Sequence, residues 1–95
     1  MTEQRKAQLH VIVRGRVQGV GFRFFVERLA NQRHLTGWVR NNPDGSVETV
    51  AEGPEEDLLS FLQALRQGPR AAFVTQCQET WSEYTGRFRD FRIVF

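Results

Sequence analysis

Residues 9–30 read LHVIVRGRVQGVGFRFFVERLA, and the spacing of their apolar positions changes once along the way. From Leu9 to Arg14 it is two: Leu9, Val11 and Val13 share one face of an extended chain, and His10, Ile12 and Arg14 the other. From Phe22 onward it is helical, with Phe22, Phe25, Val26, Leu29 and Ala30 on one stripe. Gly15 to Gly21 separates the two, and its three glycines end the alternation. The passage predicts a strand, a glycine-rich loop and a helix, in that order.

Outward from this unit, Leu35 to Asn41 predicts a second strand, with Leu35, Gly37, Val39 and Asn41 on one face and Thr36, Trp38 and Arg40 on the other. Asn42-Pro43-Asp44-Gly45 is a turn, since proline presets φ and glycine accepts a left-handed backbone. Val47 to Glu52 returns as a third strand and closes a hairpin. A second helix follows: Pro54 suits its first turn, and Glu55, Glu56 and Asp57 favour the positive end of its dipole. Its buried stripe is Leu58, Phe61, Leu62 and Leu65, and Gly68-Pro69 stops it. Ala71 to Trp81 predicts a fourth strand, Glu83 to Arg87 a loop, and Phe91, Ile93 and Phe95 a short last strand. The order is β-α-β-β-α-β plus a terminal β. Residues 1–7 are expected as a flexible N-terminal tail and 8–95 as a single domain, which 95 residues allow.

The composition, 40% apolar and 25% charged, is that of a globular protein, and the net charge is only +2. Twelve of the thirteen basic residues are arginines with acids spread among them, which favours small anions over a nucleic-acid surface. Cys77 stands alone, so no internal disulfide forms and a cysteine-based zinc site lacks ligands. His10 and His34 lack a helical metal-ligand spacing, and neither metal nor cofactor is expected. Met1 to Gln8 is polar and unlike a leader, and no apolar run approaches the ~20 residues of a membrane span. A cytoplasmic monomer without membrane or nucleic-acid partners is the expectation.

A strand, a glycine-rich loop and a helix start form an anion site by construction. Free backbone N–H groups at the helix N-terminus face the loop, and the helix dipole favours negative charge there. A turn that merely reverses the chain would use the same glycines. Arg23 tips the balance. It lies in the first helical turn, where a cation opposes the dipole, and it is off the buried stripe. A bound phosphate would compensate, since guanidinium grips phosphate through two parallel hydrogen bonds; the alternative, in a chain with twelve arginines, is a solvated surface residue. A right-handed β-α-β crossover then brings the end of the second strand to the same edge of the sheet. Asn41 ends that strand on the face of Val39; if that face packs under the helices, its amide emerges beside the loop and can hold a water, the alternative being a residue that starts the turn, a role Asn42 would serve equally well. Cysteine-phosphatase, nucleotide-triphosphate and dinucleotide loops are excluded, because their Cys-x5-Arg, Lys-Ser/Thr and third-glycine elements are missing.

Gly15-Arg16-Val17-Gln18-Gly19-Val20-Gly21-Phe22-Arg23 resembles the first signature of the acylphosphatase family. Gly37-Trp38-Val39-Arg40-Asn41, followed by Asp44-Gly45-Ser46-Val47-Glu48, resembles the second. The similarity covers roughly residues 8 to 95. It implies an α+β, ferredoxin-like sandwich: an antiparallel sheet of core order 4-1-3-2, two helices on one face and a short extra C-terminal strand. It implies hydrolysis of an acyl phosphate to carboxylate and inorganic phosphate without metal or cofactor, with phosphate as product and inhibitor. Carried over by position, Arg23 holds the phosphoryl group, Asn41 orients the attacking water, and Gly15, Arg16, Val17, Gln18, Gly19 and Val20 form the phosphate-binding loop. The alternative is a non-catalytic module of the same fold that binds a small ligand or RNA. Against RNA, the third strand carries no aromatic residue on which a base could stack.

Overall fold

The strand predicted from Leu9 forms the middle of the molecule. In the computed structural model, which describes residues 5–95, β1 (Lys6–Arg16) is followed by α1 (Phe22–Gln32), β2 (Thr36–Asn41), β3 (Val47–Pro54), α2 (Glu55–Gln67), β4 (Phe73–Glu83) and β5 (Phe91–Ile93). The sheet order is β4-β1-β3-β2-β5. Ala7, Leu9, Val11 and Val13 are buried under the helices, and the residues between them face the other side. β1 pairs antiparallel with β3, placing Leu9 opposite Ala51 and Val13 opposite Val47. On its other edge it pairs antiparallel with β4, placing Val13 opposite Cys77. β3 lies between β1 and β2, so β1 and β2 run the same way, as the crossover requires.

The helices close one face. Val26 and Ala30 of α1 and Leu58, Phe61 and Leu65 of α2 are fully buried against the strands. Each such Leu, Val or Phe contributes roughly 1.5–3 kcal/mol of burial. Phe61 meets Phe91 edge to face, with centroids 6.2 Å apart. Three acids fill the first turn of α2, and Gly68 ends it in a positive-φ conformation.

Several boundaries differ from expectation. Residues 1–4 of the expected tail lie outside the described residues, and Lys6 and Ala7 belong to β1, paired with Pro54 and Gly53. The fourth strand starts at Phe73 rather than Ala71, because Ala72 donates to the carbonyl of Pro69 in a turn. It is an edge strand that half-buries only Val74 and Cys77, so its pattern is faint. The sheet is mixed, not antiparallel throughout: β5 pairs parallel with β2, Gly37 opposite Phe91 and Val39 opposite Ile93. The chain leaves β4 at one edge and must cross the helix-free face to reach the other. Glu52 holds that crossing in place. Its carboxylate accepts from the amides of Thr85 (2.9 Å) and Gly86 (3.0 Å), the Thr85 hydroxyl and the Gln8 amide. Phe95, expected in the last strand, lies beyond it and is fully exposed.

Candidate active site

The loop between β1 and α1 begins at a defect in the sheet. The register of β1 against β4 shifts between Arg14 and Gly15, a β-bulge. A Cβ at Gly15 would sit 2.1 Å from the carbonyl oxygen of Phe73, so glycine is demanded here by close strand approach. Gly19 and Gly21 have φ of 75° and 76°, and a Cβ on either would meet nothing within 4 Å. Their requirement is conformational: the left-handed backbone curls the loop back toward the helix.

Gly21 is the N-cap of α1, and no side chain caps the helix. The Phe25 amide bonds back to the carbonyl of Gly21 at 3.1 Å, and the amides of Phe22, Arg23 and Phe24 come before it. No acidic residue occupies this first turn, whereas α2 has three. The positive end of α1 is left to an external anion. A cleft of about 190 Å³ opens at this point, lined by Val17, Gly19, Gly21, Phe22, Arg23, Phe24 and Asn41.

Arg23 and Asn41, singled out from opposite ends of the crossover, thus share one cleft. Asn41 is half-buried beyond buried Val39, on the face its parity predicted. Asn42 is a turn residue: its amide side chain donates to the Ser46 hydroxyl at 3.0 Å and accepts from Arg40 at 3.2 Å. Arg23 carries the ring of Phe95 over its guanidinium, 5.3 Å from centre to carbon.

Of the loop residues expected to bind phosphate, Val17 and Gly19 line the cleft; Gly15, Arg16, Gln18 and Val20 do not. Gly15 and Arg16 still belong to β1, paired with β4. Val20 packs against the core. Gln18 turns its side chain away, donating to the backbone carbonyls of Asn42 (2.7 Å) and Ser46 (2.9 Å). It fastens the loop to the β2–β3 hairpin. Gly21, Phe22 and Phe24 complete the lining. Phe22 and Phe24 are additions to the residues expected there; an aromatic at the very start of a helix beside a glycine loop is the signal that could have found Phe24.

Charges outside the cleft brace the hairpin. Hydrogen bonds from Ser46, by side chain and backbone, and then from Arg14 hold the Asp44 carboxyl down at about 2. Burial pushes Glu48 up, but hydrogen bonds from His10, Arg40 and Asn42 outweigh it and leave its pKa lowered. Among the described residues, no group of three or more His, Cys, Asp or Glu could hold a metal ion. Among them, too, no helix is long and apolar enough to cross a membrane.

The acylphosphatase family model matches residues 9–93. An acylphosphatase from Bacillus subtilis is 48% identical over 88 residues, covering 93% of this chain and 97% of that protein. The crystal structure of acylphosphatase from Bacillus subtilis superposes with a TM-score of 0.91 at 47% identity, over 94% of this chain and 99% of that one. The structure of an acylphosphatase from Coxiella burnetii does so with a TM-score of 0.85 at 37% identity, over 99% and 100%.

Proposed function

We propose how this chain, which belongs to the acylphosphatase family, carries out the hydrolysis of acyl phosphates: Arg23 and the amides at the start of α1 hold the phosphoryl group, and Asn41 orients the attacking water. The observation that carries the assignment is the convergence of Arg23 and Asn41 on one cleft at an uncapped helix N-terminus.

The chemistry asks for little else. A phosphoryl-transfer transition state is loose, with charge on the three equatorial oxygens and the entering and leaving oxygens in line. Amides and a guanidinium preorganised toward those oxygens stabilise that charge without reorganising. The water's oxygen bonds to phosphorus as the bond from phosphorus to the acyl oxygen breaks, and the electron pair leaves on the carboxylate. One acyl phosphate dianion and one water give one carboxylate and one dihydrogen phosphate. Carboxylate is a good leaving group at neutral pH and needs no acid, and a phosphoryl oxygen serves as acceptor for the water's proton. Neither metal nor cofactor takes part, inorganic phosphate competes with substrate, and the protein works as a cytoplasmic monomer.

Turnover of acetyl phosphate in the presence of excess chelator tests this reading. Release of phosphate at an undiminished rate supports it. Activity lost to the chelator and restored by one divalent ion would refute the metal-free route, and no turnover by folded protein would refute the hydrolysis.

A further inference from the structure

The cleft is too small to enclose a substrate with a bulky acyl group. At about 190 Å³ it lies below the ~300 Å³ at which pockets begin to enclose an organic ligand. It has room for a phosphoryl group and a water. A bulky acyl group therefore extends to the mouth, onto whatever side chain the rim presents.

Two exposed aromatic rings stand beside Arg23, Phe95 over its guanidinium and Phe24, and of the two only Phe24 lines the cleft. Phe24 is nonetheless 67% exposed. Its neighbours are accounted for: Phe22 is buried, and Phe22 and Phe25 meet edge to face with centroids 5.8 Å apart. Phe24 is off the helix's buried stripe and is neither part of the core nor packed against it. Phenylalanine is also one of the weaker helix formers at a site where packing decides nothing. A single exposed apolar residue is ordinary. One that rims an anion cleft next to Arg23, where every other lining side chain is buried or polar, has a surface to offer to a ligand.

The walls of the cleft give the direction. Asn41 comes from the end of a strand and Phe24 from the first turn of a helix, so the cleft has a sheet wall and a helix wall. In-line displacement puts water and leaving group on opposite sides of the phosphorus. With the water at the sheet wall, the acyl group projects along the helix wall. We infer that Phe24 is the acyl-contacting, specificity-determining residue of this site, and that it sets a preference among acyl phosphates for those with an aromatic or bulky apolar acyl group. The inference rests on the hydrolytic assignment above.

The test compares benzoyl phosphate with acetyl phosphate, which share the reacting group and differ in the part beyond it. The full-length protein is used with Phe24→Ala and Phe24→Leu, folding is checked by circular dichroism, and the inhibition constant for inorganic phosphate is measured alongside. An aromatic contact at a half-open rim contributes about tenfold in kcat/KM. Wild type should favour benzoyl phosphate by about that factor. Phe24→Ala should lose at least five-sixths of the preference, chiefly through KM for benzoyl phosphate, with phosphate inhibition within twofold of wild type. Phe24→Leu should keep part of it. An unchanged ratio in Phe24→Ala overturns the inference while leaving hydrolysis intact. Equal loss on both substrates overturns it too, by making Phe24 a structural residue. If folded wild type turns over neither substrate, hydrolysis itself falls, and this inference with it.

Discussion

Gln18 reaches 2.7 Å to the backbone carbonyl of Asn42, the residue next to Asn41. The loop proposed to cradle the phosphoryl group is thereby tied to the strand end proposed to hold the water. Gln18→Ala removes two hydrogen bonds to carbonyls that each also accept from a backbone amide, and should cost about 1–2 kcal/mol in urea unfolding. Turnover should fall by about tenfold or more as Asn41 loses its placement. Wild-type turnover in a destabilised Gln18→Ala protein would show that the two halves of the site do not depend on the tie.

Arg23→Ala should reduce turnover several-hundredfold, the cost of about 3–4 kcal/mol when a preorganised donor is lost. Its melting temperature should hold or rise slightly, since a cation leaves the positive end of α1. Steady-state kinetics beside a thermal melt decides this. Retained activity in the folded variant removes Arg23 from the mechanism.

Asn41→Ala and Asn42→Ala should part company. The first should lower kcat by about two orders of magnitude with the phosphate inhibition constant nearly unchanged, as loss of orientation predicts. The second should lose the hairpin bonds to Ser46, Arg40 and Glu48, about 1 kcal/mol of stability, and leave turnover nearly intact. A matching loss of phosphate affinity in Asn41→Ala would make it a phosphate ligand instead.

Inorganic phosphate should stabilise the protein by mass action, by about 2.7 kcal/mol at a hundred times its Kd. The melting temperature should rise with phosphate in wild type and not in Arg23→Ala. An equal rise in both would mean that the anion binds elsewhere.

Glu52 sets an acid limb on stability. Burial pushes its pKa up, but donors from Gln8, Thr85 and Gly86 outweigh burial, and the folded value lies below the ordinary 4.5. The stabilisation is therefore complete above the unfolded value and is lost as pH falls through the folded one. Glu52→Gln turns an amide N–H toward groups that donate, and should destabilise the fold at pH 7 by about 2–3 kcal/mol. It should also flatten the decline below about pH 4.5. Asp44, held at about 2, keeps its own bonds to lower pH still. An acid limb unchanged in Glu52→Gln would assign it to other carboxylates.

What could be read from sequence was whatever repeats or alternates. Leu9, Val11 and Val13 disclosed the central strand, and the parity of Val39 and Asn41 placed the amide on the cleft side. Crossover handedness brought it to Arg23. Pairings between distant residues left no such trace. Gln18 meets carbonyls 24 and 28 residues away, and Glu52 meets a loop 33 residues on. In the sequence Gln18 reads as part of a phosphate-binding loop, and Glu52 as the polar end of the third strand. The parallel pairing of β5 follows from a chain crossing that no period encodes, and β4 was misplaced by two residues because an edge strand buries so little.

The bulge at Gly15 has a consequence for where the enzyme can be altered. The direction in which the chain departs toward the cleft is decided by how β1 sits against Phe73 and Thr75, on a strand that contributes no residue to the cleft's lining. β4 thus acts as a gauge block for the cleft. Point changes to its exposed side chains leave the backbone spacing alone and should be silent. Removing one residue from it would slide the block by a single step, re-aiming the loop while every residue of the cleft kept its identity.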